Sequence, residues 1–211
     1  MGAIAPVSGP QDPSQLNNLL NQIIGQINTA NASSRHERFT APIASELVSV
    51  VNAVTPSNVA LTLAAQPDYP RKLNIRVVVG TTTTTAITAG SLVLVGINQL
   101  GQVVTETISL IANASKTVIS TNCYAHVTSA TVSAYAASGS GTGNTVGVGV
   151  STALGLTLPV GFNNLVVFKA DVDAGDETVG TVDTTAGTII PNTAANATHS
   201  YDFWYSYNFA E

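Results

Sequence analysis

Asp171, Asp173, Asp176 and Glu177 fall within one short acidic run, DVDAGDE. Carboxylate oxygens at such spacing can converge on a hard cation such as calcium. The run lacks a glycine at the sixth position and the later bidentate glutamate of an EF-hand loop, so a solvated acidic turn is the preferred reading and calcium the alternative. No other cofactor is indicated. Paired carboxylates also serve glycoside hydrolysis, which ranks last among the readings. The histidines, His36, His126 and His199, sit in three separate contexts without metal-ligand spacing. Cys123 and His126 are three apart in a strand-like stretch, which sets a thiol and an imidazole on opposite faces. The segment GSGTGN (139–144) is glycine-rich like a phosphate-binding loop, but TVGVGV follows it, and phosphate cradling needs a helix N-terminus there. No catalytic group is expected.

The elements that would position these residues read as strands. Leu73, Ile75, Val77 and Val79 alternate with Asn74, Arg76 and Val78, and the Thr run 81–85 extends that strand or an edge. Residues 92–95 and 103–110 form two further strands around the turn INQLG. Val118, Cys123, Tyr124, Val127 and Val132 mark more, and residues 138–149 are a loop leading into another. Residues 41–51 read as a strand, favoured by their valines over a helical turn; Val59, Leu61 and Leu63 alternate, and 165–169 is a short buried strand. Residues 31–40, with Arg35, His36, Glu37 and Arg38, read as a solvated hinge or, alternatively, as a contact point for an acidic neighbouring subunit. The end alternates strictly: Tyr201, Phe203, Tyr205 and Tyr207 share one face with His199, and Asp202 and Trp204 take the other. This strand is expected in the core or, alternatively, at a subunit interface. No helical period recurs between strands, which removes doubly wound folds.

The N-terminal forty residues differ. Three prolines lie within 1–13, and Leu16, Leu20, Ile23 and Ile27 then follow a coiled-coil step on an amphipathic helix of about 14–30. The expected organisation is therefore an N-terminal arm with one helix (1–40) and a mainly β domain (41–211), an antiparallel β-sandwich or barrel. The helix stripe is a candidate interface.

Of the 211 residues only 9% are charged and 45% are hydrophobic, with a net charge of −5. Typical domains carry about 25% charged residues. Seven Lys and Arg do not provide the basic cluster that nucleic acid requires, and no segment reaches the roughly 18 apolar residues of a membrane span. The first residues show neither the basic nor the apolar region of a secretory signal. A surface so poor in charge points to a subunit covered by neighbours.

Three stretches form an ordered set: Pro70 and Arg71 stepping into a strand; Val95, Gly96, Asn98, Gly101, Thr105 and Glu106 in a hairpin; and Thr145, Val146, Val148, Gly149, Leu154, Gly155, Leu156 and Pro159, where LTLP replaces a simple LP ending. Over 65–211 the chain resembles the β-rich virion structural proteins of tailed bacteriophages, of the capsid decoration or cement type. The resemblance implies a non-enzymatic virion protein, assembled in the host cytoplasm. It would act as a homo-oligomer, with a trimer as the first stoichiometry to test. Its partners would be the major capsid protein or other virion subunits. A tail, neck or fibre-attachment protein is the alternative within that class. A carbohydrate-binding adhesive module, using Trp204 and the tyrosines of 201–207 as sugar platforms, is the alternative outside it.

Overall fold

The computed structural model describes residues 34–80, 86–138, 142–158, 166–171 and 180–207. The helix expected over 14–30, with Leu16, Leu20, Ile23 and Ile27, lies outside them. The chain divides into units Met1–Ser34 and Arg35–Glu211, and the second is the β unit. The described strands are β1 (Ser34–Phe39, its first residue at the division), β2 (Val51–Val54), β3 (Arg71–Val78), β4 (Ile87–Ile97), β5 (Val103–Ser109), β6 (Lys116–Tyr124), β7 (His126–Ala137), β8 (Thr145–Gly155), β9 (Val166–Asp171), β10 (Thr181–Asp183), β11 (Thr188–Ile190) and β12 (Tyr201–Ser206). The described residues are mainly β, in antiparallel sheets, one of them curled into a half-barrel, and contain no helix.

One sheet runs β10-β11-β8-β3-β6, with β2 also paired to β8; a second runs β5-β4-β7; a third runs β1-β12-β9. The first two share an aliphatic core. Leu73, Ile75 and Val77 of β3 and Val146, Val148 and Val150 of β8 meet Leu92 and Leu94 of β4 and Val132 of β7, all with at most 1% exposure. Burying each such side chain contributes about 1.5–3 kcal/mol before the entropy of ordering it. A second, largely aromatic cluster joins the third sheet to the ends of β8 and β11: Phe39, Tyr201, Phe203 and Tyr205 pack with Leu154, Leu156 and Ile189.

The β4–β5 hairpin shows how local sequence sets register. Asn98 Oδ1 accepts the amides of Leu100 (3.0 Å) and Gln102 (2.9 Å), and Asn98 N donates to Gln102 O at 2.8 Å. Gly101 has φ +77°, a left-handed value that costs glycine nothing. Seven residue pairs then follow in unbroken register, from Ile97↔Val103 to Ser91↔Ser109.

Two expectations are corrected. The stretch 31–40 is not a hinge throughout, because Ser34–Phe39 form β1, which pairs with β12. Within 41–51 only Val51 is in a strand. The preceding residues cross close over β8, where Glu46 N donates to Val150 O at 2.9 Å and a Cβ on Gly149 would collide with the Glu46 carbonyl. The strands β10 and β11, three residues each, are too short for alternation to mark.

Candidate functional site

The residues first considered for chemistry do not come together. Asp171 ends β9, opposite Tyr201, while Asp173, Asp176 and Glu177 lie outside the described residues. Among the described residues no three His, Cys, Asp or Glu side chains form a metal-binding group. Cys123 is buried in β6, and burial pushes its thiol up from 9.0 to about 12. His126 is exposed at the start of β7, and its Nδ1 donates to Gln66 Oε1 at 2.8 Å. The glycine-rich stretch leads into β8 and not into a helix; Asn144 secures it by accepting from Gly80 N (2.9 Å) and donating to Tyr135 OH (3.0 Å).

The alternation expected in the last strand places two different surfaces back to back. Tyr201, Phe203 and Tyr205 are fully buried inside the chain. These three are core, so a partner cannot touch them, and the sugar platform that needed tyrosines beside Trp204 is not formed by Tyr201 or Tyr205. Tyr207 is partly buried against the same cluster. The opposite face carries a compact polar group. His36 of β1 stacks on Trp204 of β12, with centroids 4.4 Å and planes 15° apart. His36 Nε2 donates to Asp202 Oδ1 at 2.8 Å, and Arg38 Nη1 lies 3.5 Å from Asp202 Oδ2. Asp202 is buried beneath its two half-exposed basic partners.

A groove crosses the outer side of the β3–β6–β8 sheet. One compartment, of about 450 Å³, is lined by Ile119, Thr121, Thr152, Ala153, Thr188 and Ile190. A neighbouring one of about 330 Å³ is lined by Asn98, Gln99, Gln102, Asn122 and Thr185. Lys72 and Asp183 border both and neutralise each other at 3.1 Å. The Ala186 amide and the Lys72 ammonium hold the Asp183 carboxyl below its usual range. The groove offers hydroxyl, amide and apolar contacts.

Four polar side chains that sequence reasoning did not single out as sites turn out to staple the β unit. Arg71 has no exposed surface; its Nε and Nη2 meet Asp68 at 2.9 and 3.0 Å, and its other donors reach Ser151 O (3.1 Å) and Ile43 O (2.8 Å). Asn74 Nδ2 reaches Ser45 Oγ, Glu46 O and Val150 O within 3.0 Å. Glu106 of β5 spans to β6, accepting from Thr121 N (2.7 Å), Asn122 N (3.1 Å) and Tyr124 OH (3.4 Å). Glu37, beside the aromatic cluster, accepts from Thr157 N at 2.9 Å, from Thr157 Oγ1 and from Tyr205 OH. Burial, with Glu37 adding to it, pushes the Tyr205 hydroxyl up. Burial and then Glu106 do the same to Tyr124. Of the four staples, Glu106 alone could have been found from local pattern, since it shares the inward face of its strand with Val104 and Ile108; Asn74 lies on the face opposite Leu73, Ile75 and Val77.

No family model matches this chain, and no curated protein or solved structure does.

Proposed function

We propose that this chain is a non-enzymatic structural protein of a tailed-phage virion. In this reading it is a decoration or cement protein holding the capsid lattice through a β-sandwich domain, oligomerisation and an N-terminal arm. The observation that carries the reading is where the charge goes. In a chain with 9% charged residues, Arg71, Glu37 and Asp202 are buried, and Glu106, Lys72 and Asp183 are bonded within the chain. These six charges work as internal staples, while Leu47, Val48, Val59, Val103, Ile111 and Ile119 stay exposed. A surface of that kind favours contact with other subunits over solution as a highly charged monomer.

The test is co-sedimentation of the full chain with shells assembled from the major capsid protein of the same genome. Saturable binding at a fixed number per capsomer is expected. Failure to bind mature shells at any concentration overturns the decoration reading, and binding confined to isolated tails or necks transfers the protein to the alternative placement.

A further inference from the structure

Most sheet edges of the described residues are guarded. Residues 59–61 cover β7, with Leu61 N donating to Ala130 O (2.7 Å) and Val132 N to Val59 O (3.0 Å). The Thr121 and Asn122 amides of β6 are taken by Glu106. Strand β1 carries Arg35 and Arg38, and β10 is three residues long. Short length, cationic side chains and covering segments are the usual protections of an edge.

Along Val103–Ser109, strand β5 carries none of these; just past its end the Lys116 ammonium of β6 caps Ile111 O at 2.7 Å, so the free row ends at Ser109. Asn98 N–Gln102 O and Leu110 N–Gly90 O show which pairs of the β4–β5 ladder exchange bonds. Antiparallel pairs alternate, so Val104, Glu106 and Ile108 bond to β4, while Val103, Thr105, Thr107 and Ser109 turn N–H and C=O outward. No described strand pairs with that outer side. Backbone groups do not stay buried and unbonded, so this row meets water or another strand. The same four side chains are exposed, Val103 at 76%. The strand contains neither lysine nor proline, and no bulge interrupts its ladder. Its one charge, Glu106, is committed to β6.

We infer that the outer edge of β5 pairs antiparallel with β5 of a second copy of this chain, about a two-fold axis at Thr107. Two features of the strand favour its own copy as the occupant. Exposed apolar residues flank it at both ends, Leu100 and Val103 before and Ile111 after, and an antiparallel two-fold brings the first end of one copy to the second end of the other. The Thr107 axis sets Thr105 opposite Ser109 and Val103 beside Ile111. It also keeps each Glu106 opposite Ile108 and away from its own copy, since like charges placed opposite destabilise a sheet. The pairing deepens the assembly reading above, on which it rests only for taking a second copy as partner.

The experiment is sedimentation of the purified full chain at micromolar concentration. A dimer is expected. Thr107→Lys, an exposed substitution, should give a monomer with an unchanged circular dichroism spectrum. Thr105→Pro should do the same, because the lost N–H points outward. Oxidation of Thr107→Cys should give a covalent dimer, the buried Cys123 staying unreacted. A monomeric native chain, or a dimer that survives both Thr107→Lys and Thr105→Pro, overturns the inference. If Thr105→Pro fails to fold, Thr107→Lys and the crosslink decide. The two readings fail separately: a monomer that still saturates capsid shells removes the pairing alone, and a Thr107-dependent dimer that ignores shells and particles removes the virion role alone.

Discussion

The aliphatic core and the aromatic cluster solve the same problem with opposite materials. Between the β3–β6–β8 sheet and β4–β5–β7 the buried residues are mostly Val, Leu and Ile, and the polar staples Arg71, Asn74 and Glu106 sit at the margins. Around β1 and β12 the buried residues are large rings, and a carboxylate, Glu37, lies among them with Thr157 and Tyr205 as donors. Branched side chains interdigitate without polar help. Tyrosines bring hydroxyls inside, and each needs a partner there. The comparison teaches that inward alternation identifies a core face but not the chemistry that satisfies it.

Arg71 is where the two regions meet, since it pairs with Tyr124 on one side and Leu154 on the other. Arg71→Ala is therefore expected to have the largest effect. It strips Asp68, Ile43 O and Ser151 O of their shared partner, a loss of about 3–5 kcal/mol for a broken buried pair, read from urea unfolding. A loss under 1 kcal/mol would mean that the guanidinium is not the joint.

Leu94→Ala probes the aliphatic side alone. It should cost about 2–5 kcal/mol, as cavity-forming changes do, and the cost should be the same at pH 7 and pH 10. A pH-dependent cost would show that the aliphatic core relies on titrating groups.

Alkaline pH should weaken the molecule as a whole. The Cys123 thiol is raised from 9.0 to about 12, and Tyr124 and Tyr205 are also raised. Above pH 9 the unfolded chain gives up protons that the folded chain keeps. Stability is thus intact below pH 9 and falls as pH rises toward 12. Cys123→Ala should flatten part of that slope in chemical denaturation measured from pH 8 to 11. An unchanged slope would remove the thiol from the explanation.

The smallest effect belongs to the exposed cluster. His36→Ala removes a half-exposed contact to Asp202 and should cost about 0–1 kcal/mol while shifting Trp204 fluorescence through loss of the stacked ring.

Much of the β architecture was legible in the sequence. The alternation of Leu73, Ile75 and Val77, the INQLG turn and the inward face of β12 all reflect local rules, a two-residue period and a turn that needs Asn and Gly. The strand at Ser34–Phe39 was not legible, because Glu37 is satisfied by Thr157 and Tyr205, 120 and 168 residues away. Distance in the chain likewise hides the stapling roles of Arg71 and Glu106, whose partners include Ser151 and Thr121, 80 and 15 residues away. The exposed cluster was half legible: β12 announced that Trp204 and Asp202 share a face, but nothing local to 31–40 placed His36 and Arg38 upon it.

The proposed role as a repeated virion subunit is tested most directly by the copy number of the chain in purified virions from a host that carries its gene, counted by quantitative mass spectrometry against the major capsid protein. The account predicts hundreds of copies per particle; a particle that contains none contradicts it.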